Sequence, residues 1–180
     1  MPPLRCVADT NVVGTADGAN PAAGADCRLA SAEALQAVMT SGHLFLDDAG
    51  LIVAEYVNVM GGGQPEAGGA FVRWVLQNQW VQARVTRVAV TPRAGGPTGF
   101  HELPPPMPGT TYDPSDEKFL AVAAAHPERP PVLQSFDSKW WGWQESLKAC
   151  GVTVHFLCPG EIEAKYQEKM GGASERTSGD

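Results

Sequence analysis

Arg5-Cys6-Val7-Ala8-Asp9-Thr10-Asn11-Val12-Val13 is the stretch on which the reading of this chain turns. Val7 and Ala8 suit a strand buried on both faces, and a carboxylate follows at once. In an open α/β sheet the C-terminal ends of the strands are where ligands bind. Asp9 therefore has two readings, a functional acid at a strand end or a residue that caps its own turn. Whether other acids occupy equivalent positions decides between them.

Further along, strands and helices alternate. His43-Leu44-Phe45-Leu46 reads as a second strand closed by Asp47-Asp48, residues 83–90 as a third, 131–136 as a fourth followed by Asp137, and 152–157 as a fifth. Helical spacing of apolar residues predicts helices over 32–40 (with Ser31 as its cap), 51–60, 67–79, 116–125, 139–149 and 161–169. Residues 14–29 read as a polar connection, and Gly61-Gly62-Gly63 as a turn, since no Lys-Ser/Thr follows it. This alternation is the pattern of a mainly parallel sheet covered by helices on both faces, a three-layer α/β/α fold. The expected organisation is one domain over 1–169, with a long Pro/Gly-rich loop at 91–114 and a disordered polar tail at 170–180. That loop is read as a lid, a partner-binding segment or an ordinary mobile loop.

With 180 residues, 43% of them hydrophobic and 18% charged, the chain has enough length for one substantial core. The net charge of −7 argues against a protein that coats nucleic acid through an overall basic surface. Cys6, Cys27, Cys150 and Cys158 show no CxxC spacing and the histidines are scattered, so reduced thiols are expected and a zinc site is not. The N-terminus lacks a charged start followed by an apolar run, and no stretch is long enough to cross a bilayer; the expectation is a cytoplasmic protein without membrane association.

Four acids recur in similar settings: Asp9 after the first strand, Glu55 on the helix after the second, Asp116 at a helix start, and Asp137 after the fourth strand. Parallel strands would bring them to one edge of the sheet. Ionised carboxylates that converge repel, and a hard divalent cation such as Mg²⁺ or Mn²⁺ relieves the repulsion through all-oxygen ligation. Such a cation also binds phosphate oxygens and acidifies water, which points to phosphodiester hydrolysis. A different acid chemistry, phosphoryl transfer with Asp9 as nucleophile in a DxDGT motif, is not matched, because Asn11 stands where the second acid would be.

The segments Val7-Ala8-Asp9-Thr10-Asn11-Val12, Leu46-Asp47-Asp48 to Glu55-Tyr56, Asp113-Pro114-Ser115-Asp116-Glu117-Lys118-Phe119 to Ala123, Gln134-Ser135-Phe136-Asp137-Ser138-Lys139-Trp140, and Gly151-Val152-Thr153-Val154 to Leu157 together resemble the PIN-domain family. The resemblance implies a PIN-like fold and a metal-dependent endoribonuclease. Asp9, Glu55, Asp116 and Asp137 would hold Mg²⁺ or Mn²⁺, and Asn11 would orient a water or a carboxylate. Asp47 or Asp48 competes with Glu55 for its place, and Asp113 with Asp116. The implied partner is single-stranded or structured RNA, with a cognate antitoxin or other protein where the family member is a toxin; a homodimer stays open. The alternative is a PIN-like fold used as a non-catalytic binding or scaffold module.

Between residues 67 and 101 there is no acid, while Arg73, Arg84, Arg87 and Arg93 are present. This local positive region is read either as a track for an RNA backbone or as a solvated face. Lys118 and Lys139, next to proposed ligands, either contact the substrate phosphate or balance charge. Trp140 and Trp143 share a helix face, and at least one of them is read as packing; Trp141 is left open between packing, base stacking and an interface.

Overall fold

The computed structural model describes residues 2, 4–59, 66–94 and 99–177. In chain order the elements are β1 (Arg5–Ala8), α1 (Thr10–Ala16), α2 (Ala25–Ser41), β2 (His43–Asp47), α3 (Leu51–Val59), α4 (Ala67–Asn78), β3 (Val85–Val88), α5 (Glu117–Ala125), β4 (Val132–Gln134), α6 (Lys139–Ala149), β5 (Val154–Phe156) and α7 (Pro159–Thr177). The strands form one five-stranded sheet in the order β3-β2-β1-β4-β5, and every pairing is parallel.

The apolar runs explain the central strands. Cys6, Val7 and Ala8 of β1 and Leu44, Phe45 and Leu46 of β2 have no exposed surface, as strands covered by helices on both faces require. Burying side chains of the size of Leu or Phe stabilises the fold by about 1.5–3 kcal/mol each. The chain steps from β1 to β2 to β3 in one direction and from β4 to β5 in the other. Right-handed crossovers then put α1–α4 on one face and α5 and α6 on the other, giving three layers. Packing agrees: α1, α2 and α4 contact one another, while α5 lies on β1, β2 and β4.

Several local expectations are corrected. Residues 10–16 are helical, although Val12, Val13 and Thr15 are weak helix formers. Asp9 caps this helix, and Val12 and Val13 are fully buried, so tertiary packing outweighs propensity. The next helix starts at Ala25, not at 32, and Ser31 is no cap. Ser31 is buried inside α2; its hydroxyl donates to the Cys27 carbonyl (2.7 Å) and accepts from the Ser135 hydroxyl (2.7 Å). At the entry to α4, Asp17 accepts from the Gly68 and Gly69 amides at 2.6 and 3.0 Å. A Cβ on Gly68 would lie 2.5 Å from the Val13 carbonyl, so the approach of α4 to α1 requires glycine there. The last helix runs to Thr177, where a disordered tail was expected, and residues 178–180 lie outside the described residues, as does the Gly61-Gly62-Gly63 turn.

The described part of the 91–114 loop is fastened to the body of the protein. Phe100, Leu103 and Tyr112 belong to the core, the Met107 amide donates to the Ser146 hydroxyl (2.9 Å), and Tyr112 Oη lies 2.8 Å from that same oxygen. Trp140 and Trp143 are both core residues, with Tyr112 edge-on to Trp143, and Trp141 packs on Phe156. Among the described residues no helix is long and apolar enough to cross a membrane.

The expectation of reduced thiols is corrected for one pair. Cys27 at the start of α2 and Cys158 before α7 form a disulfide, Cα–Cα 5.3 Å, across 131 residues of chain. Sequence spacing could not show this pairing, because only the fold brings the two residues together. Cys6 and Cys150 are free and buried, and burial pushes the Cys6 thiol up to about 12, leaving it unreactive. Closing so long a loop stabilises by roughly 2–4 kcal/mol. Thiol titration of the denatured, unreduced protein should therefore find only the two thiols of Cys6 and Cys150. Reduction should expose all four cysteines and lower the melting temperature; four thiols before reduction would refute the bridge.

Candidate functional site

The strand order reverses between β1 and β4, and this is where an open parallel sheet offers a crevice. Asp9 leaves the end of β1, and its amide donates to the Leu133 carbonyl of β4 at 3.1 Å. Asp137 follows β4 by three residues. A cleft of about 380 Å³ opens here, lined in part by Asp9, Thr10, Asn11, Glu55, Asp116, Asp137 and Lys139. The four acids singled out in the sequence thus share one cavity.

Each is held differently. Asp9 caps α1, its Oδ1 accepting from the Asn11 amide at 2.7 Å, and the same residue lines the cleft. Among the described residues its Oδ2 has no hydrogen-bond donor. Asp116 stands at the N-cap of α5 yet makes no cap hydrogen bond. Its carboxylate is buried, and among the described residues Oδ2 has no partner but the Lys139 ammonium, 3.1 Å away. Asp137 Oδ1 accepts from the Lys139 amide (3.1 Å), and Oδ2 lies 3.2 Å from Lys139 Nζ. Glu55 accepts from the Thr10 hydroxyl and pairs with Lys118.

Asn11 acts as a brace. Its Oδ1 accepts from the Phe136 amide at 2.7 Å, which ties the start of α1 to the turn that carries Asp137. The Thr15 hydroxyl supports the same oxygen at 3.4 Å. Asp47 is excluded as a replacement for Glu55: it is buried and caps α3 through the Leu51 and Ile52 amides at 2.7 and 2.8 Å. Asp48 is exposed and does not line the cleft. Asp113 joins the cluster from its rim, 2.6 Å from Lys139 Nζ.

The basic residues divide in two. Lys118 and Lys139 reach the acids. Arg73, Arg84 and Arg87 do not line the cleft. Arg84 lies at the opposite end of the sheet, its guanidinium donating to the Met39 and Thr40 carbonyls and lying over Trp74. Arg87 donates to the Asp48 carbonyl (2.9 Å) and lies over Trp80. Arg73 is exposed on α4. The run of arginines is therefore not one track, because β3 and α4 send these side chains to separate places. Thr10 is the residue of the cleft that reading the sequence passed over, while Asp113, weighed there as a competitor of Asp116, stands beside Asp116 at the rim rather than in its place. The signal for Thr10 was its place on a helix start directly after Asp9, which was hidden by the missing α1.

Charge crowding leaves its mark on the site. Burial first, then Asp116, Glu55 and Asp137, raise the Asp9 carboxyl well above its usual range, against the opposing Asn11 amide. Burial likewise raises Asp116 to about 6, with Asp137 and Asp113 adding to it and Lys139 opposing. Asp113 is held well below the usual range by its hydrogen bonds from Lys139 and Ser115. Burial disfavours the Lys139 charge, but Asp113, Asp116 and Asp137 outweigh that and hold the ammonium above its ordinary value. Among the described residues no three of His, Cys, Asp and Glu stand close enough together to form a ready metal cage. Lys139, rather than a shared central oxygen geometry, joins the acids.

Comparison with protein-family models, with curated proteins and with solved structures gives no match to this chain.

The sign of the pH effect follows from Asp116. The folded protein keeps this proton up to about 6, whereas the unfolded chain loses it near the ordinary 3.8. Stability therefore falls as pH rises through that window and stays lower above it. Melting temperatures recorded from about pH 4 to 7 should fall less steeply in Asp116→Asn than in the native chain. An unchanged slope would refute the raised value.

Proposed function

We propose that this protein is a PIN-like, metal-dependent endoribonuclease. The observation that carries the reading is the meeting of Asp9, Glu55, Asp116 and Asp137 in one cleft at the β1/β4 reversal, where acids outnumber the cations that face them. With Asp113 included, five carboxylates meet, among the described residues, only Lys118 and Lys139. An anionic cleft of this kind is unfavourable for a phosphodiester unless further positive charge enters it.

The donor set fits Mg²⁺ or Mn²⁺ in chemistry and charge: all ligands are hard oxygens, and among the described residues the buried Asp116 Oδ2 has no partner but the Lys139 ammonium. Asp9, Asp116 and Asp137 would hold the cation, with Glu55 as the fourth acid. When bound, the cation would neutralise the carboxylates, polarise the phosphate and acidify water for in-line attack. Asn11 keeps Asp9 and Asp137 in register by joining their two turns. Thr10 and Lys118 fix the Glu55 carboxylate on the far wall. The substrate is RNA, and Lys118 is the better placed of the two lysines to approach its backbone, since it also lines a neighbouring cavity of about 420 Å³ with Leu51, Asn58 and Ser115. A cytoplasmic location, and an antitoxin or second copy as partner, go with this reading.

One observation favours a second reading. The ammonium of Lys139 already sits among three acids, as in a site that has exchanged metal for an internal cation. On that reading the PIN-like fold is a non-catalytic binding or scaffold module.

RNA cleavage with Mn²⁺, by the native chain and by Asp9→Asn, tests the proposal. Native activity that EDTA abolishes and that falls about 100-fold or more in Asp9→Asn is expected, in line with the loss of one essential charged group. Equal cleavage by both proteins would remove this site from the reaction. No cleavage by either, with no Mn²⁺ uptake by calorimetry, would favour the scaffold reading.

A further inference from the structure

Lys139 opens α6 directly after the Asp137 turn, and its side chain folds back over that turn. One nitrogen, Nζ, meets Oδ2 of Asp113 at 2.6 Å, of Asp116 at 3.1 Å and of Asp137 at 3.2 Å. Two of these acids line the cleft. The third, Asp113, does not, although it holds Nζ at the shortest distance and is itself partly open to solvent.

We infer that Lys139 is a built-in counter-cation which competes with a divalent cation for Asp116 and Asp137, and that Asp113 is the carboxylate onto which its ammonium withdraws when the cation enters. The inference rests on the proposed metal-dependent reading of the cleft. It deepens that reading by naming how occupancy of the site is controlled.

The physical argument is exclusion. An ammonium and a divalent cation seek the same carboxylate lone pairs, and like charges a few ångströms apart in a partly buried cleft repel strongly. Asp116 Oδ2 is the contested atom: its residue is only 8% exposed, and among the described residues this oxygen has no partner but Nζ, 3.1 Å away. Asp113 makes withdrawal inexpensive, because its ion pair with Nζ already exists and survives when the other two are given up. Ser115 holds Asp113 ready through its amide (3.0 Å) and hydroxyl (2.7 Å), both donating to Oδ1 and leaving Oδ2 for Lys139. Without a cation the lysine keeps the acids together; with one it steps back to the rim.

The two neighbours should therefore respond with opposite signs. Metal-stripped protein is titrated calorimetrically with MnCl₂ near neutral pH. Lys139→Gln should bind Mn²⁺ about tenfold more tightly than the native chain, while losing roughly 2–4 °C of melting temperature in metal-free buffer. Asp113→Asn should bind several-fold more weakly, because the ammonium has lost its alternative partner. Lys165→Gln is the control. It removes a positive charge near the Asp137 turn from a lysine whose ammonium donates to the Phe136 carbonyl (3.2 Å) rather than to an acid. Its affinity should stay within about twofold of native, as expected when no direct competitor is removed.

Affinity in Lys139→Gln equal to or below native overturns the inference, as does an equal gain in Lys165→Gln, which would reveal only a general field effect. Should Lys139→Gln fail to fold, native or tighter binding by Asp113→Asn overturns the inference by itself. Absence of Mn²⁺ binding in every protein overturns it together with the metal-dependent reading. Failure of the inference alone is told apart by native binding with no gain on removing Lys139.

Discussion

The pairing of β1 with strands on both sides is the constraint from which the rest of the architecture follows. β1 lies between β2 and β4, and both pairings are parallel. Parallel neighbours need crossovers, so helices must cover the faces, and the two directions of travel from β1 assign them to opposite faces. The crevice then falls at the C-terminal end of β1, where the strand order reverses. The Asp9 amide closes the last hydrogen bond to β4 through Leu133, and its carboxylate turns into the opening. A strand whose last three residues are fully buried thus ends in a group that is costly to ionise where it stands.

That cost organises the site. The fold brings Asp116, Glu55 and Asp137 toward Asp9 from three further elements, and the Asp9 and Asp116 carboxyls are raised first by their burial and then by this crowding. Nothing about the packing of the core requires this. A fold under selection for stability alone would place apolar or neutral groups at the crevice, since buried charge without full compensation is destabilising. Lys139 and Lys118 provide partial compensation and leave an excess of negative charge. The Asn11 brace and the Cys27–Cys158 bridge both bear on the Asp137 turn: Asn11 holds the Phe136 amide, and Phe136 packs in the same small cluster as the two cysteines.

The strands were legible because a strand buried on both faces needs only a short apolar run, and such runs stand out between Gly, Pro and Asp. The acids at their ends were legible for the same reason, since a strand end fixes where the next residue goes. Helix α1 was not, because Val12, Val13 and Thr15 are poor helix formers and only burial against the sheet and α2 selects that conformation. Ser31 looked like a cap because serine commonly is one; its buried hydrogen bond to Ser135, distant in sequence, could not be read locally. Arg84 and Arg87 looked like part of a basic track because they are near in sequence, yet alternate strand geometry and a sheet-edge position separate them.

The sequence by itself determined the alternation of strands and helices, the three-layer class and the four candidate acids, Asp9 and Asp137 after strands, Glu55 on a helix and Asp116 at a helix start. Those features depend on local burial patterns, which adjacent residues encode. Tertiary structure alone decided that Asp47 caps a helix while Glu55 faces Asp9, that Lys139 meets three carboxylates at once, and that Cys27 finds Cys158. Each of these joins residues far apart in the chain. Their energies come from distances of a few ångströms that no local pattern specifies, so they exist only once the sheet has set its order.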